Sequence, residues 1–552
     1  MARKSGGKNP NLRLGKGDYE FALRHIEKYG DTDLLPMPFE YAAIRNRWSE
    51  AILPWFLKQD VTTWVPRPAR RILVPKRPRG LRMAMQLDPL DSIFYTALVV
   101  AMAPEIEKAR VPVSKRVAIS HRFKKNTAGD LWRTTASWDE FGKRSREIAT
   151  RPGVHFVLKT DIADFYSRIY HHRLEASLFN AVSNAALVRA TMALLGAWGG
   201  DVSYGIPVGN AASRLLAEAV LNQIDTELIN QGFTHCRWID DFRVFCKDER
   251  EAARAETFLA RSLFEIHGLT LQSSKSSTVD CGVFLDELEQ QDKVVLRVTS
   301  SGDVIDDEAL AGSDVEGDDF FIDMEDVGNA SLAEVDFEDL PKSTREILEE
   351  HDIAEVLRIL LAQGRLDLGL GRTLIRELAR REDPSAVQVC IDNVETLSLI
   401  LSDVVSYIVG VKNHLTVPQR KKIGKRALNV LRNSPLGENE SGAIWLLWLF
   451  AESSSFDNEA QLAKLYETSK RDEEKRKVML AMGNADMASW FMRMRNSAMA
   501  MPPWNRRAFL YAARCMNGDE RKHWYKSVAE QLDVLEEAIR QYADKVGVRK
   551  RQ

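Results

Sequence analysis

Cysteine is scarce and never paired: Cys236, Cys246, Cys281, Cys390 and Cys515 stand far apart, with no C-x-x-C among them. That spacing excludes a disulfide framework and a clustered thiolate zinc site, and it points to a reducing cytoplasm. The first residues, MARKSGGKNPNLRLGKGD, are basic but lack an apolar h-region, so no secretory signal is expected. No apolar run long enough to span a bilayer is expected either, and no membrane partner. Lysine and arginine are missing altogether from residues 298–341, which hold 15 Asp and Glu. Such a segment would repel a polyanion and reads as an acidic linker or insert.

What is present lies unevenly. The chain has 552 residues, too many for one core, so two or more domains are expected. Its formal net charge of −2 hides a basic front, with 30 Lys and Arg against 16 Asp and Glu in residues 1–160. That excess suits a polyanionic partner. RRILVPKRPRGLRMAMQLDPLD (70–91) predicts a strand, a basic Pro/Gly turn, a second strand and then a helix from Pro89 to about Ile106. VHFVLKTDIADFY (154–166) predicts a strand leading into a helix. SYGIPVGNAASRLLAEAVLNQIDTELINQG (203–232) predicts a glycine-punctuated loop and a helix stopped by Gly232. From about residue 342 amphipathic helical patterns follow one another with short turns, as in a helical-repeat array.

RWIDDFRVF (237–245) sets Asp240 and Asp241 at the tip of an apolar hairpin, with Asp161 ending another buried strand. Asp-Asp also occurs at 306–307 and 318–319, where it is solvated charge. Between apolar strands the pair is expensive, because adjacent carboxylates repel and desolvation penalises both. If the strands lie side by side, three carboxylates converge, a set tolerable around divalent cations. All-oxygen ligands favour Mg²⁺, with Mn²⁺ as the alternative, and two such ions form a clamp for displacement at phosphorus.

These stretches together resemble reverse transcriptases. DIADFY (161–166) is similar to motif A, GIPVGNAASRLLAE (205–218) to motif B, WIDD (238–241) to motif C, and GLTLQSSKSSTV (268–279) to motif D. RILVPKRPRGLRMAM (71–85) resembles the fingers motifs, and the likeness spans about residues 60–295. Motif B reads Pro207-Val208-Gly209 in place of the common Pro-Gln-Gly, followed by Ser213-Arg214 and Ala217-Glu218. With the helical second half, that wording is similar to bacterial abortive-infection and other defence-associated reverse transcriptases.

The resemblance implies an α+β right-hand polymerase, with fingers and an RRM-like palm sheet, followed by an all-α helical-repeat (HEAT-like) C-terminal domain. The expected divisions are an N-terminal helical segment (1–60), fingers (61–150), palm with motifs A to D (151–297), acidic linker or insert (298–341) and α-helical repeats (342–552). It also implies RNA-directed or template-independent DNA synthesis from dNTPs in the bacterial cytoplasm, in antiphage defence. A non-coding RNA and the DNA product would be partners, in a homo-oligomer. Asp161, Asp240 and Asp241 would be catalytic and, with the Ile162 carbonyl, hold the metals. Lys76, Arg82, Tyr166, Gly209, Ser213 and Lys275 would bind the nucleotide, Tyr166 as the ring that excludes a ribose 2′-OH. Arg70, Arg71, Arg77 and Arg79 would meet nucleic acid. The alternatives are a mobile-element reverse transcriptase and, from another class, a nucleic-acid-binding scaffold whose polymerase site is inactive.

Overall fold

The computed structural model describes residues 12–76, 80–291, 293–299, 304–305, 317–323, 352–362, 366, 368–456, 459–469 and 471–547. The chain forms two compact units that do not follow its order. One comprises Met1–Asp33, Leu53–Arg71 and Met83–Lys293; the other comprises Leu34–Ile52, Ile72–Arg82 and Val294–Gln552. The expected consecutive domains are thus interleaved, with two short early segments assigned to the unit that holds the C-terminal half.

The two strands predicted within 70–91 form, β1 (Arg70–Pro75) pairing with β2 (Leu81–Gln86) in a two-stranded sheet. Helix Pro89–Ala109 follows. The Asp88 side chain accepts from the Leu90 N–H at 3.1 Å and proline opens the first turn. This helix corrects the expectation of no bilayer-length apolar run. It has the length and hydropathy of a membrane span, but 83% of that window is buried inside the protein, as in a core helix.

Four strands make a second sheet: β3 (Phe156–Asp161), β4 (Thr234–Trp238), β5 (Asp241–Cys246) and β6 (Ser277–Asp280), in the order β4-β5-β3-β6 with antiparallel pairing. Side chains alternate between faces along each strand. One face carries Val157, Cys236 and Phe245 into a core with Phe141, Ile148 and Phe284 from helices Trp138–Ala149 and Cys281–Gln291. The helix predicted after the glycine-rich loop spans Ala211–Asn230. It is capped by the Asn210 side chain, which accepts from the Ala212 N–H at 2.9 Å, and Gly232 follows it with φ 81°.

Part of the acidic stretch read as linker or insert is strand. β7 (Lys293–Thr299), β8 (Val304–Ile305) and β9 (Gly317–Asp323) form a sheet in the order β8-β7-β9. β7 begins in the stretch expected as palm and enters the acidic one only at Val298 and Thr299; a count of charges overlooked the β-branched Val298, Val304 and Ile305 there. The second unit is otherwise largely helical. Its helices Glu440–Glu452, Asp472–Asn484, Pro503–Ala512 and Val534–Val546 pack in succession. Gly483 permits one close approach, since a Cβ there would lie 2.6 Å from that of Ala512. Within this unit Glu40, fully buried, pairs with Arg476 at 2.7 Å, and the Arg476 guanidinium lies 5.1 Å from the ring centres of both Phe39 and Trp504.

Candidate active site

Strand register brings the first two aspartates together. Asp161 ends β3 directly opposite Asp241, which begins β5, and Trp238 of β4 is the next residue in the same row. Side chains opposite one another in an antiparallel pair have Cβ atoms about 4.5–5.5 Å apart, and like charges there destabilise the sheet. Asp240 shares the two-residue turn with Ile239, and its carbonyl accepts from the Ile162 N–H at 3.2 Å. The Asp161 carbonyl accepts from the Gln272 N–H at 2.7 Å, which ties the strand end to the motif D loop.

Electrostatics record the crowding. Burial, then the Asp161 charge and that of Asp241, push Asp240 up to about 8. Burial also raises Asp241, to about 6; Arg243 opposes the rise and Asp161 adds to it. Lys275 places Nζ 2.5 Å from the Asp161 carboxylate. Burial works against its charge, but Asp161, Asp240 and Asp241 together raise its pKa.

Among the described residues, no three His, Cys, Asp or Glu side chains are already gathered as a metal-binding group. The aspartates are neighbours by register, and a lysine ammonium stands against one of them. The donor set nevertheless fits a hard divalent cation: three carboxylates are crowded together, two of them pushed up by burial and their neighbours, with a cation already drawn to Asp161. A metal ion binding all three would displace Lys275 from Asp161.

A pH effect follows. Unfolded aspartate titrates near 3.9, so the folded, metal-free protein keeps protons on Asp240 and Asp241 that the unfolded chain has released. Their stabilising contribution is complete below about pH 4 and is lost as pH rises toward about 8. In EDTA, the Tm of Asp240→Asn minus that of the native protein should therefore grow from pH 5 to pH 8 and then level. A difference that stays flat, or shrinks, contradicts the crowded-carboxylate geometry.

Other expected residues fall into three groups. Tyr166 is half-buried, its ring centre 5.4 Å from that of Phe165, and burial raises its hydroxyl above the ordinary tyrosine value. Its carbonyl accepts from the Ile206 N–H at 3.0 Å, while Ile169 O accepts from the Gly205 N–H at 2.8 Å. Motif A's continuation and the motif B loop are thereby fastened together. The loop needs its glycines: Gly205 and Gly209 both have φ 89°, and a Cβ on Gly205 would press on Ser167 O at 3.3 Å. Lys76 and Arg82 lie half-buried on the fingers hairpin.

Two expectations need correction, those for Ser213 and Arg70. Ser213 is fully buried with its hydroxyl 3.1 Å from that of Tyr95, so it is a core residue and not a nucleotide contact. Arg70 is buried against Gln86, and Arg71 donates at 2.5 Å to Trp198 O at the end of helix Ala185–Gly199. Arg70 thus has a structural partner where nucleic acid was expected, while Arg71 reaches its carbonyl partner from an exposed position. Arg77 and Arg79 lie outside the described residues. Sequence reasoning also passed over Ser120 and Arg237 and gave Glu218 no role, although all three are buried polar groups within reach of the motif C turn.

No curated protein matches the chain. Among solved structures, an apo telomerase from Candida tropicalis truncated from its C-terminal domain is 13% identical with TM-score 0.30, covering 39% of this chain and 51% of its own. The chain thus spans about half the length of that relative. A Candida albicans telomerase in complex with the TWJ fragment of telomeric RNA is 12% identical with TM-score 0.31, covering 78% and 71%. An apo telomerase from Candida tropicalis is 11% identical with TM-score 0.30, covering 79% and 74%. Residues 74–294 match the family described as reverse transcriptase (RNA-dependent DNA polymerase), a match that takes in both β3 and the β4–β5 hairpin. The chain therefore carries a reverse transcriptase domain over these residues.

Proposed function

We propose that this chain is a DNA polymerase, RNA-directed or template-independent, which extends a 3′-hydroxyl with dNTPs and serves bacterial antiphage defence. The observation that carries the reading is the direct opposition of Asp161 and Asp241 beside Asp240, inside the matched domain. Asp161 and Asp240 would hold both of two Mg²⁺ or Mn²⁺ ions, with Asp241 and the Ile162 carbonyl completing the site. Such ions, when bound, supply Lewis-acid activation of the attacking hydroxyl and neutralise charge on the leaving pyrophosphate. Lys275, its pKa raised, stays protonated at neutral pH and can give a proton to that leaving group. Lys76 and Arg82 would grip the triphosphate, and the Tyr166 ring would exclude the ribose 2′-OH.

Sheet order supports an RRM-like palm. Numbered within the palm, its strands run 2-3-1-4, the arrangement of a split βαβ unit. Regular spacing supports helical repeats, since successive packed helices begin at Glu440, Asp472, Pro503 and Val534, at intervals of 31 or 32 residues. A nucleic-acid partner is supported by helix Val417–Asn433, which has six Lys and Arg and no acid, with Lys421, Lys422 and Lys425 exposed. The defence assignment rests on the Pro207-Val208-Gly209 wording and the helical second half.

The test is incubation of the purified protein, with any co-purifying nucleic acid, with each labelled dNTP and NTP plus Mg²⁺. Polymer should form from dNTPs and not NTPs, and prior RNase treatment separates templated from untemplated synthesis. Retained RNA binding with no polymer from any nucleotide would favour the inactive scaffold.

A further inference from the structure

The motif C turn is built on an unusual backbone. Ile239 and Asp240 alone connect Trp238 of β4 to Asp241 of β5, and Ile239 has φ 53°. Two-residue hairpin turns with positive φ at the first central position normally place glycine there. A β-branched residue in that conformation is strained and persists only where its surroundings over-determine it. Here both backbone polar groups of Ile239 are held by side chains. Its N–H donates to Ser120 Oγ at 2.8 Å, and its carbonyl accepts from Arg237 Nη1 at 3.0 Å.

The two holders are joined. Ser120 Oγ donates to Glu218 Oε1 at 2.6 Å, and Arg237 Nη2 lies 2.9 Å from Glu218 Oε2. Ile239, Ser120, Glu218 and Arg237 thereby close a ring of hydrogen bonds. Arg110 donates to the same Glu218 oxygen at 2.6 Å, and Asp225 takes the rest of the Arg237 fork at 2.7 Å. Two arginines balance two carboxylates, with Ser120 and Arg237 wholly buried and Glu218 and Asp225 1% exposed. The edge is closed too: Arg237 N–H donates to Val117 O at 2.9 Å, and Ile119 N–H donates to Arg237 O at 3.1 Å.

A buried ionic cluster is weak evidence of stabilisation, since apolar packing of equal volume often does as well. What apolar packing cannot do is hold the N–H and C=O of one strained residue in fixed directions. We propose that Ser120, Glu218 and Arg237 form a positioning bracket that keeps Ile239 left-handed and so aims the Asp240 carboxylate toward Asp161 and Asp241. The bracket deepens the polymerase reading and rests on it for its consequence in catalysis, though not for its effect on cation binding. It gives Glu218, within the motif B stretch, a role that nucleotide contact does not.

The test measures Mn²⁺ binding by the loss of its free electron-paramagnetic-resonance signal, alongside Tm. Asp240→Asn marks the signal that belongs to the aspartates. Ser120→Ala removes an acceptor and a donor with little change of volume and should weaken that binding about tenfold, as loss of a group orienting a metal ligand commonly does. Glycine adopts the left-handed turn unaided, so in an Ile239→Gly background the same Ser120→Ala change should cost less than about twofold, a departure from additivity that marks direct coupling. A merely structural serine would lower Tm equally in both backgrounds and leave Mn²⁺ affinity alone; that result overturns the bracket, as does an equal affinity loss in both. If Ser120→Ala does not fold, Arg237→Lys keeps the charge but loses the fork, and the same pair of comparisons applies. Native protein that binds Mn²⁺ through Asp240 yet makes no polymer would overturn the polymerase reading and leave the bracket standing.

Discussion

Asparagine at Asp161 or Asp240 should lower nucleotide addition by about 10³-fold or more while the protein stays folded. Metal ions contribute several kcal/mol to such transition states, and each ~1.4 kcal/mol is tenfold in rate. Asparagine keeps the shape of the side chain but removes a charged oxygen ligand. Because burial and the neighbouring Asp161 and Asp241 charges crowd Asp240, neutralising it also relieves repulsion, so the metal-free Tm of Asp240→Asn should rise or hold as activity falls. That opposition separates a functional loss from a folding defect. Rates of dNTP incorporation and melting curves in EDTA check it, and an Asp240→Asn protein that polymerises within threefold of the native rate would remove this residue from the mechanism.

Tyr166→Ala should admit ribonucleotides, raising the NTP-to-dNTP ratio of kcat/KM by about 10²-fold. That is roughly the discrimination a packed wall achieves against one added hydroxyl. The ring is well placed to act as a wall, since its backbone is pinned to Ile206 and its face is set by Phe165. Tyr166→Phe retains the ring and should retain selectivity. Unchanged discrimination in the alanine protein, or its loss in the phenylalanine protein, would show that exclusion depends on something other than this ring.

The strands and helix around the aspartates were legible because their signals are local. Strand periodicity around Asp161 and Asp240, and glycine and asparagine punctuation before Ala211, each follow from neighbours in sequence. What escaped depends on distant partners. A basic run cannot reveal that Arg70 faces Gln86 or that Arg71 finds Trp198 O, 127 residues away. Ser213 matched a motif position, yet a helix buried on most sides turns that position to Tyr95. Nothing near Ile239 announced its positive φ, because the groups that hold it come from Ser120 and, through Arg237, Glu218. Charge counting also hid β8, β9 and the end of β7 in the acidic stretch.

Interleaving of the two units bears on how the chain emerges during translation. Glu40 is paired with a residue 436 positions later. At roughly 5–20 residues per second, Arg476 follows it by about 20–90 s. Through that interval the early segment 34–52 has left the ribosome while the helices that bury it do not yet exist. Until then its Phe39, Tyr41 and Ile44 lack the helices that pack on them in the finished unit, and its Glu40 carboxylate lacks its guanidinium partner. Protein ended after the palm would leave these residues in that state permanently, a practical reason why the polymerase half alone would be prone to aggregate.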